Sequence, residues 1–155
     1  MEMGRLSKGG MVLSICVVLV LTALTACVQK EVLPPPPAPT LSEHLDQLYE
    51  TNKLEWRKEM KQLLRDESVT IPTRHLALAI KAFNNQANRD LCLEATWRYL
   101  RAKAGNGPRL ASENDRKLLQ SYADIALSTN NQLMIQRMKK LCVILEDEDV
   151  CKAFK

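Results

Sequence analysis

Five cysteines and two histidines are the side chains best suited to chemistry in this 155-residue chain: Cys16, Cys27, Cys92, Cys142 and Cys151, with His44 and His75. No pair of cysteines has the CxxC spacing of a thiol-redox or zinc site, and neither histidine belongs to an HExxH arrangement. Glu43 and Asp46 lie one and two residues from His44, spacings that do not share a helix face. Both histidines fall where helices are expected to begin, and exposed positions are expected for them. With only 5 glycines, there is little from which to build a phosphate-cradling loop or a nucleophile elbow. No metal site, no cofactor and no catalytic residue is expected. The remaining candidates for recognition are Trp97, with Arg98 and Arg101 beside it, because tryptophan and arginine are enriched at binding hot spots.

The elements that must position these residues read as helices. Glycine and aromatic residues are scarce, at 5 residues and 5%, and no period-two strand pattern is found. Thr40 and Glu43 are spaced as a capping box. Leu41, Leu45, Leu48, Tyr49, Trp56, Met60, Leu63 and Leu64 then follow at mostly three- and four-residue steps, predicting one helix over 41–66 with Trp56 in the core. Pro72 suits the first turn of a second helix, carrying Leu76, Ala79, Ile80 and Phe83. Asn88 opens a third, with Leu91, Cys92, Ala95, Tyr99 and Ala102 on one face, which stops at the "GNGP" of residues 105–108. Ser112 opens a fourth, and "STNN" at 128–131 separates it from a fifth that runs to about Leu145. The acidic "EDED" of residues 146–149 leads into a short last helix ending at Phe154. The domain expected over 41–155 is therefore all-α, with about five to six helices. A shift of 43 residues lays Leu76 on Leu119, Asn88 on Asn131 and Ala95 on Met138, so a short solenoid-like array of α-hairpins and a simple bundle both fit.

On this reading Trp97, two residues from Ala95 and from Tyr99, points away from the face they define. It sits either on a second packing surface or in solvent, and with Arg98 and Arg101 it is the first candidate for a partner-binding site. Cys142 and Cys151 are nine residues apart. In one continuous helix their Cα atoms would be about 13.5 Å apart, beyond the roughly 7 Å a disulfide can span. They can pair only if the chain turns back at "EDED", where an aspartate N-cap is available. A bridge from Cys92, or three unbridged core cysteines, are the alternatives.

The first forty residues differ in kind. "MEMGRLSKGG" carries Arg5 and Lys8, and "MVLSICVVLVLTALTA" follows without a charge, the n-region and h-region of an export signal. The uncharged run is short for a spanning helix, which needs roughly 20 apolar residues. It ends in Leu24-Thr25-Ala26-Cys27, which resembles the lipobox of bacterial lipoproteins. The resemblance implies that residues 1–26 are a signal peptide removed by cleavage, that the Cys27 thiol carries a diacylglyceryl group, and that the new amino terminus is acylated too. Several chains on one residue give firm anchoring, since each buried CH₂ is worth about 0.8 kcal/mol. The family sends lipoproteins with aspartate after the cysteine to the inner membrane; Val28 stands there, which implies the outer membrane. Residues 27–40 then form an anchored linker, with Pro34, Pro35, Pro36, Pro37 and Pro39 fixing polyproline II. At about 3.1 Å per residue, twelve such residues reach roughly 37 Å.

Charge narrows the function further. The net charge is +4 with a pI near 8.8, and basic and acidic residues are interspersed throughout. That lacks the basic stripe of a nucleic-acid binder, and nucleic acid is not an expected partner. In size, lipobox, helicity and late cysteines the chain looks similar to the pilotins, lipoproteins that escort or position secretion-system subunits. The resemblance implies a membrane contact through the lipid and a protein partner in the envelope, with the domain facing the periplasm. A permanent accessory subunit of a secretion, pilus or conjugation machine is the alternative, and an envelope enzyme or inhibitor a third.

Overall fold

The computed structural model describes residues 37–107, 109, 110 and 112–154. The signal segment, Cys27 and most of the proline-rich stretch lie outside the described residues. The chain divides between Ala38 and Pro39, and all that follows concerns the unit beginning at Pro39. Among the described residues it is all-α, a small bundle of seven helices with no strand. They are α1 Leu41–Thr51, α2 Lys53–Arg65, α3 Thr73–Ala82, α4 Arg89–Ala104, α5 Glu113–Ser128, α6 Gln132–Ile144 and α7 Glu148–Cys151. Short 3₁₀ turns cover Gln86–Asn88 and Lys152–Phe154.

Thr40 caps α1 as its spacing predicts. Its hydroxyl accepts from Glu43 N–H at 3.3 Å, and the Glu43 carboxylate accepts from Thr40 N–H at 2.8 Å. The Thr40 N–H and hydroxyl, both donating to Glu43 Oε2, hold that carboxyl below its ordinary range. The single helix expected over 41–66 is in fact two. Asn52, whose backbone leaves the helical region at φ −149° and ψ 82°, closes α1 by donating its N–H to Leu48 O, and opens α2 by accepting from Glu55 N–H through its side chain at 3.2 Å. One straight helix over those residues would run about 39 Å, against a radius of gyration near 13 Å for a domain of this size. The break lets Leu45 of α1 and Trp56, Met60 and Leu64 of α2 enter the same core.

Two further helix junctions show the same local chemistry. At the end of α5, Asn130 takes φ +48°, Asn130 N–H bonds Leu127 O, and Asn131 N–H bonds Ala126 O, both at 3.2 Å. That is a Schellman ending with asparagine in place of glycine. Asn131 then caps α6 through Met134 N–H. At the other end, Asp147 accepts from Val150 N–H and opens α7.

The buried residues form two clusters. The first joins α1, α2 and α3 through Leu45, Trp56, Met60, Leu76 and Phe83. The second joins α5, α6 and the C-terminal turns through Leu119, Tyr122, Met138, Leu141 and Phe154. Helix α4 supplies Ala95 to the first and Trp97, Leu100 and Ala104 to the second, and it packs against α2, α3, α5 and α6. A helix covered on both sides has no single apolar stripe. Its burial therefore departs from the one-face pattern read from Leu91 to Ala102. In sequence, the 43-residue shift lays the N-cap position of α4, Asn88, on that of α6, Asn131, though only Asn131 makes a side-chain cap bond.

Candidate interaction groove

Helix α4 also forms one wall of a concave surface. Trp97 is buried, 8% exposed, on the second packing surface that the spacing left open. The Arg137 guanidinium of α6 lies over its ring, 5.3 Å from the centroid, a cation–π arrangement. Arg137 also meets Glu94 at 2.7 Å and, more loosely, Glu67 at 3.6 Å. Burial works against the Arg137 charge, but Glu94 and Tyr122 together outweigh it and hold its pKa above the ordinary value.

Arg98 is not free for a partner. Its Nε donates to Glu94 at 2.8 Å. Its Nη1 reaches the carbonyls of Leu63, Asp66 and Val69 at 3.3, 3.0 and 3.3 Å, and its Nη2 that of Leu64 at 3.1 Å. The last carbonyls of a helix have no partner inside it and carry partial negative charge. Arg98 satisfies two of those of α2, at Leu63 and Leu64, and through Asp66 and Val69 ties the following loop to α4, a structural role in place of the expected recognition role. Arg101, one turn further along, is exposed and makes no ion pair among the described residues.

These side chains line a groove of about 560 Å³ between α4, α6 and the loop before α3. All three expected residues, Trp97, Arg98 and Arg101, border it. So do Glu67, Ile71, Leu133, Arg137 and Lys140, which sequence reading did not single out. The Glu94–Arg98 spacing of four was a usable signal for an ion pair on α4; nothing local marks Arg137 as its second partner. Leu133 is 60% exposed at the groove edge.

The histidines differ from expectation and from each other. His44 is half-exposed and lies 3.4 Å from Glu59. His75, expected in solvent, is wholly buried, because the first turn of α3 is covered by α1 and α2. Its Nδ1 accepts from Trp56 Nε1 at 3.1 Å, which leaves the proton on Nε2. Nε2 faces Asp46 Oδ1 at 3.2 Å, poorly aligned for a hydrogen bond. Burial pushes the His75 pKa down, and Asp46 only partly offsets it. The cluster holds a neutral imidazole and packs three helices together. The described residues hold no group of three potential metal ligands.

Of the cysteines, Cys142 and Cys151 are bonded, with Cα atoms 5.4 Å apart, and Cys92 is free. The chain turns back through Leu145 and the Asp147 cap, so the helical separation does not apply. Cys92 is half-buried in the first cluster, and burial raises its thiol pKa, which suits packing rather than reactivity. Tyr99 donates to Asp115 at 2.7 Å; burial first, then that bond, push its phenol up to about 12.

No family model, curated protein or solved structure matches this chain.

Proposed function

We propose that this chain is an outer-membrane lipoprotein whose periplasmic helical domain binds a protein of the cell envelope, as an escort or assembly factor. The observation that carries this reading is the run from Arg5 through the uncharged segment to Leu24-Thr25-Ala26-Cys27. It supplies export, cleavage and lipidation signals in the order an anchored protein needs. Two features of the domain support it. A disulfide between Cys142 and Cys151 suits an oxidising compartment. Its concave surface presents two exposed cations, Arg101 and Lys140, and the exposed Leu133 at its edge. None of its described helices is long and apolar enough to cross a membrane, and the lipid on Cys27 provides the attachment in this reading.

Purification from the outer membrane in mild detergent tests it. A protein partner that co-purifies, and is lost when groove residues are changed, is the expected result. A stoichiometric complex would favour the permanent-subunit role over the escort. Recovery of the chain in the cytoplasmic fraction would overturn the reading.

A further inference from the structure

The groove itself points to the class of segment it takes. Its four cations fall into two kinds. Arg98 and Arg137 are held rigidly, each 12% exposed, by the Glu94 carboxylate between them. Arg101 and Lys140 are exposed on opposite walls, one on α4 and one on α6. Neither has an acidic partner among the described residues. Against these four stand Glu94, consumed by the two fixed arginines, and Glu67. Glu67 is 83% exposed, and its carboxylate reaches Arg137 Nη2 from the solvent side at 3.6 Å. The chain's own side chain therefore shows how an incoming carboxylate can approach Arg137. The groove surface is mixed in character, and its main exposed apolar side chain is Leu133, 60% exposed at the edge.

We infer that this groove docks an acidic segment of a protein partner. Carboxylates of that segment meet Arg101 and Lys140 and displace Glu67 from Arg137, while an apolar side chain packs on Leu133. The inference rests on the protein-binding reading above and narrows it to an acidic, partly apolar ligand. Charge complementarity of this sort sets specificity and encounter rate. Two exposed cations and one exchanged carboxylate contribute modestly each, so the preference for an acidic over a neutral segment is expected to be about tenfold in affinity.

The full chain, purified in detergent, is titrated with three blocked synthetic peptides: glutamates interrupted by two leucines, the same with glutamine for glutamate, and the same with lysine. The glutamate peptide is expected to bind about tenfold more tightly than the glutamine one, and the lysine peptide not at all. The exposed substitutions Arg101→Glu and Lys140→Glu together should reverse that order while leaving the thermal midpoint unchanged. Glu67→Gln should strengthen binding of the glutamate peptide. Equal binding of the glutamate and glutamine peptides, or no effect of the double reversal, overturns the inference. Binding of phosphatidylglycerol vesicles that needs Arg101 and Lys140, with no peptide binding, overturns it in favour of a lipid surface. A photo-crosslinking residue at position 133 in living cells separates the two levels. A crosslinked partner whose attached segment lacks acidic residues removes the acidic ligand but keeps the protein-binding function. No crosslinked protein at all removes both.

Discussion

The indole N–H of Trp56 on α2 donates to Nδ1 of His75 on α3 at 3.1 Å, inside a core where neither ring is more than 1% exposed. The bond requires an unprotonated Nδ1, and burial holds the imidazole pKa below its ordinary value. The unfolded chain, whose histidine titrates near 6.5, binds a proton there before the folded one does. Stability is therefore greatest with His75 neutral and falls as pH drops through about 6.5 towards the depressed folded value.

Thermal melts from about pH 7 to about pH 5 should show the midpoint falling, and His75→Leu should flatten that part of the profile. The substitution removes the acceptor of the Trp56 N–H, costing about 1–3 kcal/mol at neutral pH. A pH profile unchanged by His75→Leu would show that the histidine titrates as in the unfolded chain.

Arg98 and Arg101 sit one turn apart and should behave oppositely. Arg98→Ala strips carbonyls at the end of α2 and leaves the mostly buried Glu94 with Arg137 as its one remaining partner among the described residues, and should cost roughly 2–4 kcal/mol. Arg98→Lys should recover little, because one ammonium cannot span the five acceptors that the guanidinium reaches. Arg101→Ala, at an exposed and unpaired site, should lie within about 0.5 kcal/mol of the parent in denaturant unfolding. Similar losses at the two positions would contradict the capping role of Arg98.

The Cys142–Cys151 bond closes a short loop, and chain entropy assigns such a loop about 2.5 kcal/mol. Replacing both cysteines with alanine should lower the thermal midpoint by roughly 10 °C. Cys92→Ala should leave the bond, read by thiol labelling of the unfolded chain, intact. Three labelled thiols in the oxidised parent, beyond any at positions 16 and 27, would contradict a free Cys92 as the sole open thiol of the domain.

The all-α class, the caps at Thr40, Ser112 and Asp147 and most helix ends were legible because each is decided within a few residues; Asn88, also expected to cap, sits at the N-cap position of α4 without a side-chain cap bond. The break at Asn52 was not. Its stripe of apolar residues continues at helical spacing on both sides, and only the need to fold both halves onto one core interrupts it. The burial of His75 was hidden for a similar reason: it depends on α1 crossing the start of α3, a contact between distant segments. The flank of Trp97 was found from its offset to Ala95 and Tyr99, yet the role of Arg98 was not. Its acceptors are backbone carbonyls some thirty residues earlier, which no side-chain pattern announces. Glu94, Arg98 and Arg137 form a network across two helices, and only the i,i+4 half of it has a sequence signature.

Lipidation at Cys27 is the most direct point of attack on the function proposed for this chain. Mass spectrometry of tryptic peptides from the outer-membrane fraction reads it. The predicted result is a terminal peptide spanning residues 27–30, Cys27 through Lys30, with the added mass of a diacylglyceryl group and an amide-linked acyl chain, and no peptide from residues 1–26. An unmodified Cys27 still joined to Ala26 would contradict both the anchor and the compartment.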